Sequence, residues 1–163
     1  MKRIGLLNFF VIIFSLLFLV NLAKAEEIKY QEQRILVENL VDKAAQLIET
    51  KGQAALEIIG DKNGEFNTKD SYVFVTSGET GADLINPAFN EIEGLPAENY
   101  TDPDAKAAQM AIVDAVKDKD TAWLEYLWPK PQETKSSKKI SFLKKIIING
   151  KVRIVGAGFY PEE

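Results

Sequence analysis

Nine residues, WLEYLWPKP from Trp123 to Pro131, hold both tryptophans of the chain, one tyrosine and two prolines. An indole and a phenol each pair an apolar ring with a polar edge, which suits them to gripping a small polar molecule. If WLEYLW is a strand, alternation sets Ala122, Leu124, Tyr126 and Trp128 on one face and Trp123, Glu125 and Leu127 on the other. Inward aromatic residues are ordinarily core, so the cluster reads either as packing or as the wall of a pocket. The same two readings apply to Tyr72 and Phe74, which share a face of the earlier YVFV run. Downstream, KSSKK ends on Lys139, which reads as a solvated loop lysine or as the positive charge that would meet a carboxylate.

Other chemistries are missing from the residue inventory. The chain has no histidine and no cysteine, so the commonest metal ligands, general bases and thiol nucleophiles are absent. There is no G-x-S-x-G elbow and no phosphate-cradling glycine loop. Ser136, Ser137 and Lys138 lie side by side in a polar loop, which lacks the preorganisation of a serine–lysine pair. The DKNGE segment, Asp61–Glu65, begins like a calcium loop but has its glycine in the wrong place and no closing glutamate. Neither an enzyme nor a metal or cofactor site is expected.

The elements that must position these residues can be read from periodicity. From Glu32 to about Glu57, Val37, Leu40, Val41, Ala44, Leu47 and Ile48 recur at helical steps, with Gly52 a bend or break and Gly60 an end. Ser71–Thr76 reads as a strand, SGETG as a turn, and ADLINP as a short apolar run. Thr101 and Asp102 are candidate caps for a second helix that starts at Pro103 and carries Ala107, Met110, Ala111, Val113, Ala115 and Val116. After the WLEYLW strand and a QETKSSK loop, KISFLKKIII and KVRIVGAGFY flank Asn149-Gly150, the preferred two-residue hairpin turn. The order of helix, strands, short helix and three strands predicts an α+β domain with an antiparallel sheet. No internal repeat is present.

The N-terminus, MKRIGLLNFFVIIFSLLFLVNLAKAEE, has a basic start, an apolar run and an A-x-A ending at Ala25, the pattern of a secretory signal peptide. The competing reading is an uncleaved anchor, because the apolar run approaches the length of a membrane span. Cleavage after Ala25 leaves residues 26–163 as one domain, with 17 basic against 24 acidic residues and a net charge of −7. That balance argues against a nucleic-acid partner. An exported chain without disulfides must rest on one hydrophobic core, and this length is sufficient for one.

Several spaced motifs together resemble the single Cache domain, an extracytoplasmic, PAS-like ligand-sensing domain. In order they are the long N-terminal helix, D-x-Y-V-F-V at Asp70–Val75, Gly78 and Gly81, L-I-N-P at Leu84–Pro87, Glu93-Gly94, WLEYLWPKP, K-I-S-F at Lys139–Phe142 and V-G-A-G-F-Y at Val155–Tyr160. The resemblance implies a long N-terminal helix packed against an antiparallel sheet, with a short second helix. It also implies a pocket over the sheet built from Tyr126, Trp128, Lys139, Tyr72, Phe74, Phe142 and Trp123. A small organic acid or an amino acid is the implied ligand.

Two departures stand out: Asn86 where relatives commonly have histidine, and Phe142 where they commonly have tyrosine. Such domains usually precede a second membrane span and a signalling module, so this chain is expected to be a free-standing periplasmic or secreted bacterial member. It would present its ligand to a membrane sensor or transporter, with the N-terminal helix as a candidate homodimer seam. The alternative expectation is an interaction domain that has kept the fold without a working pocket.

Overall fold

The computed structural model describes residues 3–69 and 71–161, with side chains described from Asn21 onward apart from Leu22. Of the export signal expected at residues 1–25, the backbone from residue 3 is described but the side chains before Asn21 are not, and Asp70 of the D-x-Y-V-F-V motif lies outside the described residues. The chain divides into two compact units, Met1–Arg34 and Ile35–Glu163, and the sheet belongs to the second.

Helix α1 spans Arg3–Lys51 and α2 spans Ala54–Gly60. The break between them falls at Gly52, so the glycine splits the helix rather than bending it. Strands β1 (Val73–Ser77) and β2 (Asp83–Ile85) follow, then a segment with two short 3₁₀ turns, then α3 (Pro103–Ala115). Strands β3 (Thr121–Pro129), β4 (Ser136–Ile148) and β5 (Lys151–Phe159) complete one antiparallel sheet in the order β2-β1-β5-β4-β3. The predicted α+β architecture is thus the observed one. Asn149 and Gly150 both have positive φ, 51° and 74°, as a two-residue turn between β4 and β5 requires.

The two faces of the sheet are covered by different material. On the back, Val73, Val75, Val155, Ala157 and Phe159 are buried, as are Val37, Val41, Ala44 and Ile48 of α1. Two side-chain bonds tie helix to sheet there, from Trp123 Nε1 to Glu38 and from Lys144 to Asp42. On the front, Ile112 of α3 and Val116, its C-cap, close over Tyr72, Phe74, Ala122, Leu143 and Ile154. The helix starts where its cap residues place it, with Asp102 accepting from the Ala105 amide and Pro103 at the first position. Its C-terminal carbonyl at Val116 accepts from Lys145 of β4, a favourable place for a cation.

Two expectations change. The buried face of α3 is Ala108, Gln109 and Ile112, continued by the cap residue Val116, while Met110 is 58% exposed. The run of alanines makes several faces equally apolar, and the sheet selects the one that carries Gln109. Residues 136–138 are not loop but the start of β4, where strand alternation turns Lys138 outward and buries Lys139.

Candidate functional site

The front face crosses β5 at two positions without side chains, Gly156 and Gly158. Gly156 pairs with Phe74 on one side and Leu143 on the other, and Gly158 pairs with Ser141. A Cβ on Gly156 would meet the Phe74 ring at 2.3 Å, and one on Gly158 would meet Ser141 Oγ at 2.1 Å. Glycine is therefore required for close approach, and the bare strand lets side chains from β1 and β4 meet across it.

They meet around Lys139. Its Nζ donates to the Tyr72 hydroxyl at 2.8 Å and lies 4.0 Å from the Tyr72 ring centroid, 5.1 Å from Phe74 and 5.6 Å from Tyr160. Only 1% of Lys139 is exposed, and among the described residues it forms no salt bridge. Burial without a contacting anion disfavours the charged form. It pulls Lys139 down to about 7, and the field of Asp83 only partly opposes this. The Tyr72, Tyr126 and Tyr160 phenols are all pushed upward, chiefly by burial, and stay neutral through the physiological range.

Asp83 is the second charge. Thr76 donates to its Oδ1 and Asn86 to its Oδ2, each at 2.7 Å. Burial raises its pKa, and the donors Asn86, Thr76 and Gln109, together with the charge of Lys139, work against that rise. The chain holds this carboxylate in place with its own loop. The Gly94 amide donates to the Asp83 carbonyl and the Asn86 amide to Glu93 Oε1, both at 2.7 Å. The spaced L-I-N-P and E-G motifs are the two ends of this closure.

Tyr72, Phe74, Asp83, Asn86, Gln109, Ile112, Tyr126, Trp128 and Lys139 line one cavity of about 10 Å³, roughly the room of a single water. Phe89 stands edge-on to Trp128 at 5.7 Å and helps close it. Three buried polar atoms of the lining, Asn86 Oδ1, Gln109 Oε1 and Trp128 Nε1, make no hydrogen bond, and the nearby Tyr100 hydroxyl makes none either. Such atoms are costly to leave unpaired, so the cavity is suited to a small polar guest, water included.

Of the seven residues expected at a site, five come together here: Tyr72, Phe74, Tyr126, Trp128 and Lys139. Trp123 and Phe142 do not. They are register partners on the back face, 5.3 Å apart, with Trp123 also against Phe159. Alternation from Lys139 forces this, because Phe142 is an odd number of residues away and so faces the other side. The departure from tyrosine at Phe142 therefore removes no hydroxyl from this cavity.

Asp83, Asn86, Gln109 and Ile112 are not among the expected residues. Asn86 is visible in the sequence as a departure at a motif position. Gln109 can be found only by knowing which face of α3 is buried.

A Cache domain family model matches residues 53–163, and the chain belongs to that family. Among solved structures it is similar to the periplasmic sensor domain of a chemotaxis protein, with 26% identity, a TM-score of 0.69 and coverage of 82% of this chain and 98% of that one. It is also similar to a Cache chemosensory domain studied for carboxylic acid recognition, at 24% identity and TM-score 0.64, covering 83% and 98% of the two chains. A methyl-accepting chemotaxis protein from Vibrio parahaemolyticus has the same fold, at 17% identity and TM-score 0.65, covering 86% and 96%.

Proposed function

We propose that this Cache domain is an extracytoplasmic binding domain, not an enzyme, and that its ligand is a small organic acid held in the cavity of Lys139, Tyr72, Tyr126 and Trp128. One observation carries the reading: Lys139 is a buried amine without a contacting anion, and it lines the same cavity as an indole N–H that has no acceptor. A carboxylate would supply both needs, because it accepts from several donors at once. The carboxylic acid recognition of one similar Cache domain and the periplasmic setting of another support it. In the same reading, residues 1–25 direct export and are removed, residues 26–163 are the working domain, and a membrane sensor or transporter receives the signal.

The size of the cavity adds a condition. A two- or three-carbon acid enters only if the segment between Asn86 and Tyr100, which carries Phe89, moves away from Trp128. Small ligands are thus favoured. The test is a thermal-shift and calorimetric screen of the purified protein against short carboxylates, amino acids, amines and purines. A ligand at about a hundred times its dissociation constant adds roughly 2.7 kcal/mol and raises the melting temperature by several degrees. A carboxylate hit abolished by Lys139→Met supports the reading. No hit from a cooperatively melting protein would favour the interaction domain instead.

A further inference from the structure

The Lys139 amine stands at one end of a row of hydroxyls. Its Nζ donates to the Tyr72 hydroxyl at 2.8 Å, Tyr72 is hydrogen-bonded to Tyr160, and the Tyr160 hydroxyl donates to the Pro129 carbonyl at 2.6 Å. Each hydroxyl has one proton to give. Tyr160 commits its proton to Pro129, so it accepts from Tyr72, and Tyr72 has none left for the lysine. Among the described residues no other donor reaches Nζ either, since Tyr126 pairs with Ser141 and Trp128 Nε1 with nothing. When Lys139 is uncharged, its nitrogen lone pair is therefore unengaged.

An unengaged amine that lines a buried cavity is a nucleophile. Burial pulls Lys139 down to about 7, so a large share of it is free amine near neutral pH. The rings of Tyr72, Phe74 and Tyr160 stand 4.0, 5.1 and 5.6 Å from Nζ and would face a cation formed there. The field of Asp83 favours the same charge. The cavity of about 10 Å³ limits what can be added to roughly the size of a water.

We infer that Lys139 is a covalent capture site for one- and two-carbon aldehydes, formed by the phenol row that leaves its lone pair free inside the cavity. The lone pair attacks the carbonyl carbon, and the carbonyl oxygen takes up the two amine protons and leaves as water. A carbon–nitrogen double bond remains, with no oxidant or reductant needed. Protonated, that imine keeps the positive charge among the three rings. Formaldehyde adds one carbon, about the volume that the cavity holds. The inference goes beyond the carboxylate reading and does not rest on it, because an acid meets the ammonium and an aldehyde meets the free amine.

The experiment treats the purified protein at pH 7 with dilute formaldehyde and cyanoborohydride, which reduces the imine to a stable methylamine, and maps the product by peptide mass spectrometry. Lys139 is expected to be methylated at least about tenfold faster than Lys138, its solvent-exposed neighbour. Replacing formaldehyde with hexanal should cut the labelling of Lys139 by at least about tenfold and leave Lys138 reactive, because only the first is enclosed. Tyr160→Phe removes the acceptor of the Tyr72 proton and lets Tyr72 donate to the lysine. Labelling of Lys139 should then slow several-fold in a protein that still melts cooperatively.

Labelling of Lys138 ahead of Lys139, labelling of Lys139 only in urea, equal labelling by hexanal, or an unchanged rate in Tyr160→Phe would each overturn the inference. A carboxylate hit in the acid screen from a protein whose Lys139 resists formaldehyde leaves the carboxylate reading standing alone. Rapid methylation of Lys139 without any acid hit leaves the aldehyde site standing alone.

Discussion

The two faces of the sheet are made by the same strands and differ by one residue in register, yet they follow opposite rules. The back buries Val73, Val75, Val155, Ala157 and Phe159 beneath α1, with the tilted Trp123 and Phe142 rings in contact at its margin. The front buries a lysine, an aspartate, an asparagine and a glutamine, and leaves polar atoms unpaired. Burial of apolar area on the back stabilises the fold, whereas burial of charge on the front costs stability unless a partner arrives. Burial that stabilises and burial that costs are thus divided between two sides of a single sheet.

Breaking the back should have the largest effect on folding. Phe159→Ala is expected to destabilise the protein by about 3–5 kcal/mol, the usual cost of removing a buried phenylalanine. Urea unfolding would measure it. The ligand preference, measured on the folded fraction, should change little.

Making the front resemble the back should do the reverse. Lys139→Met replaces a buried cation with an apolar side chain of similar length, and stability is expected to rise by about 1–4 kcal/mol. Carboxylate affinity should fall by at least a hundredfold. A destabilised Lys139→Met protein would mean that the lysine is held by contacts worth more than its desolvation.

The pH profile sharpens the same contrast. Lys139 is lowered to about 7 in the fold, while an unfolded lysine titrates near 10.4. Between those values the unfolded chain binds more protons, so stability should rise with pH from about 7 to 10 and be lowest below that window. Asp83 is raised, so its contribution runs the other way, with stability falling as pH rises above its unfolded value. The three neighbouring tyrosines, raised by burial, stay neutral throughout. Melting temperatures across pH 6–10 check this, and the alkaline rise should vanish in Lys139→Met. Carboxylate affinity should decline above about pH 7–8 as the lysine loses its proton.

The smallest effect is expected away from both faces. Asp102→Ala removes the cap of α3 and should cost about 1 kcal/mol, without altering ligand preference. Thermal unfolding checks it.

Much of this division is legible in the sequence. Alternation in WLEYLW alone separates Tyr126 and Trp128 from Trp123, and the Asn149-Gly150 turn fixes the hairpin that brings Lys139 near β5. Other parts are not legible, for identifiable reasons. A lysine in KSSKK looks solvated because composition says nothing about which neighbour turns inward, and strand pairing decides that. Asp83 sits in a short apolar run that gives no sign of its role, because its partners Thr76 and Asn86 meet it only across the β1–β2 turn and the loop beyond. Gln109 lies on an alanine-rich helix whose buried face is chosen by the sheet. Phe142 falls on the opposite side from the one expected because family resemblance supplies a position without its parity relative to Lys139.

The glycines of β5 have a further consequence. Because Gly156 and Gly158 contribute backbone alone, the floor beneath Lys139 has no side chain that substitution could reshape, and adding even a methyl collides with Phe74 or Ser141. Substitution can therefore reshape the cavity only at its walls, at Gln109, Asn86, Tyr126 and Trp128. Single replacements there change the shape and polarity of the cavity while the platform under it stays constant.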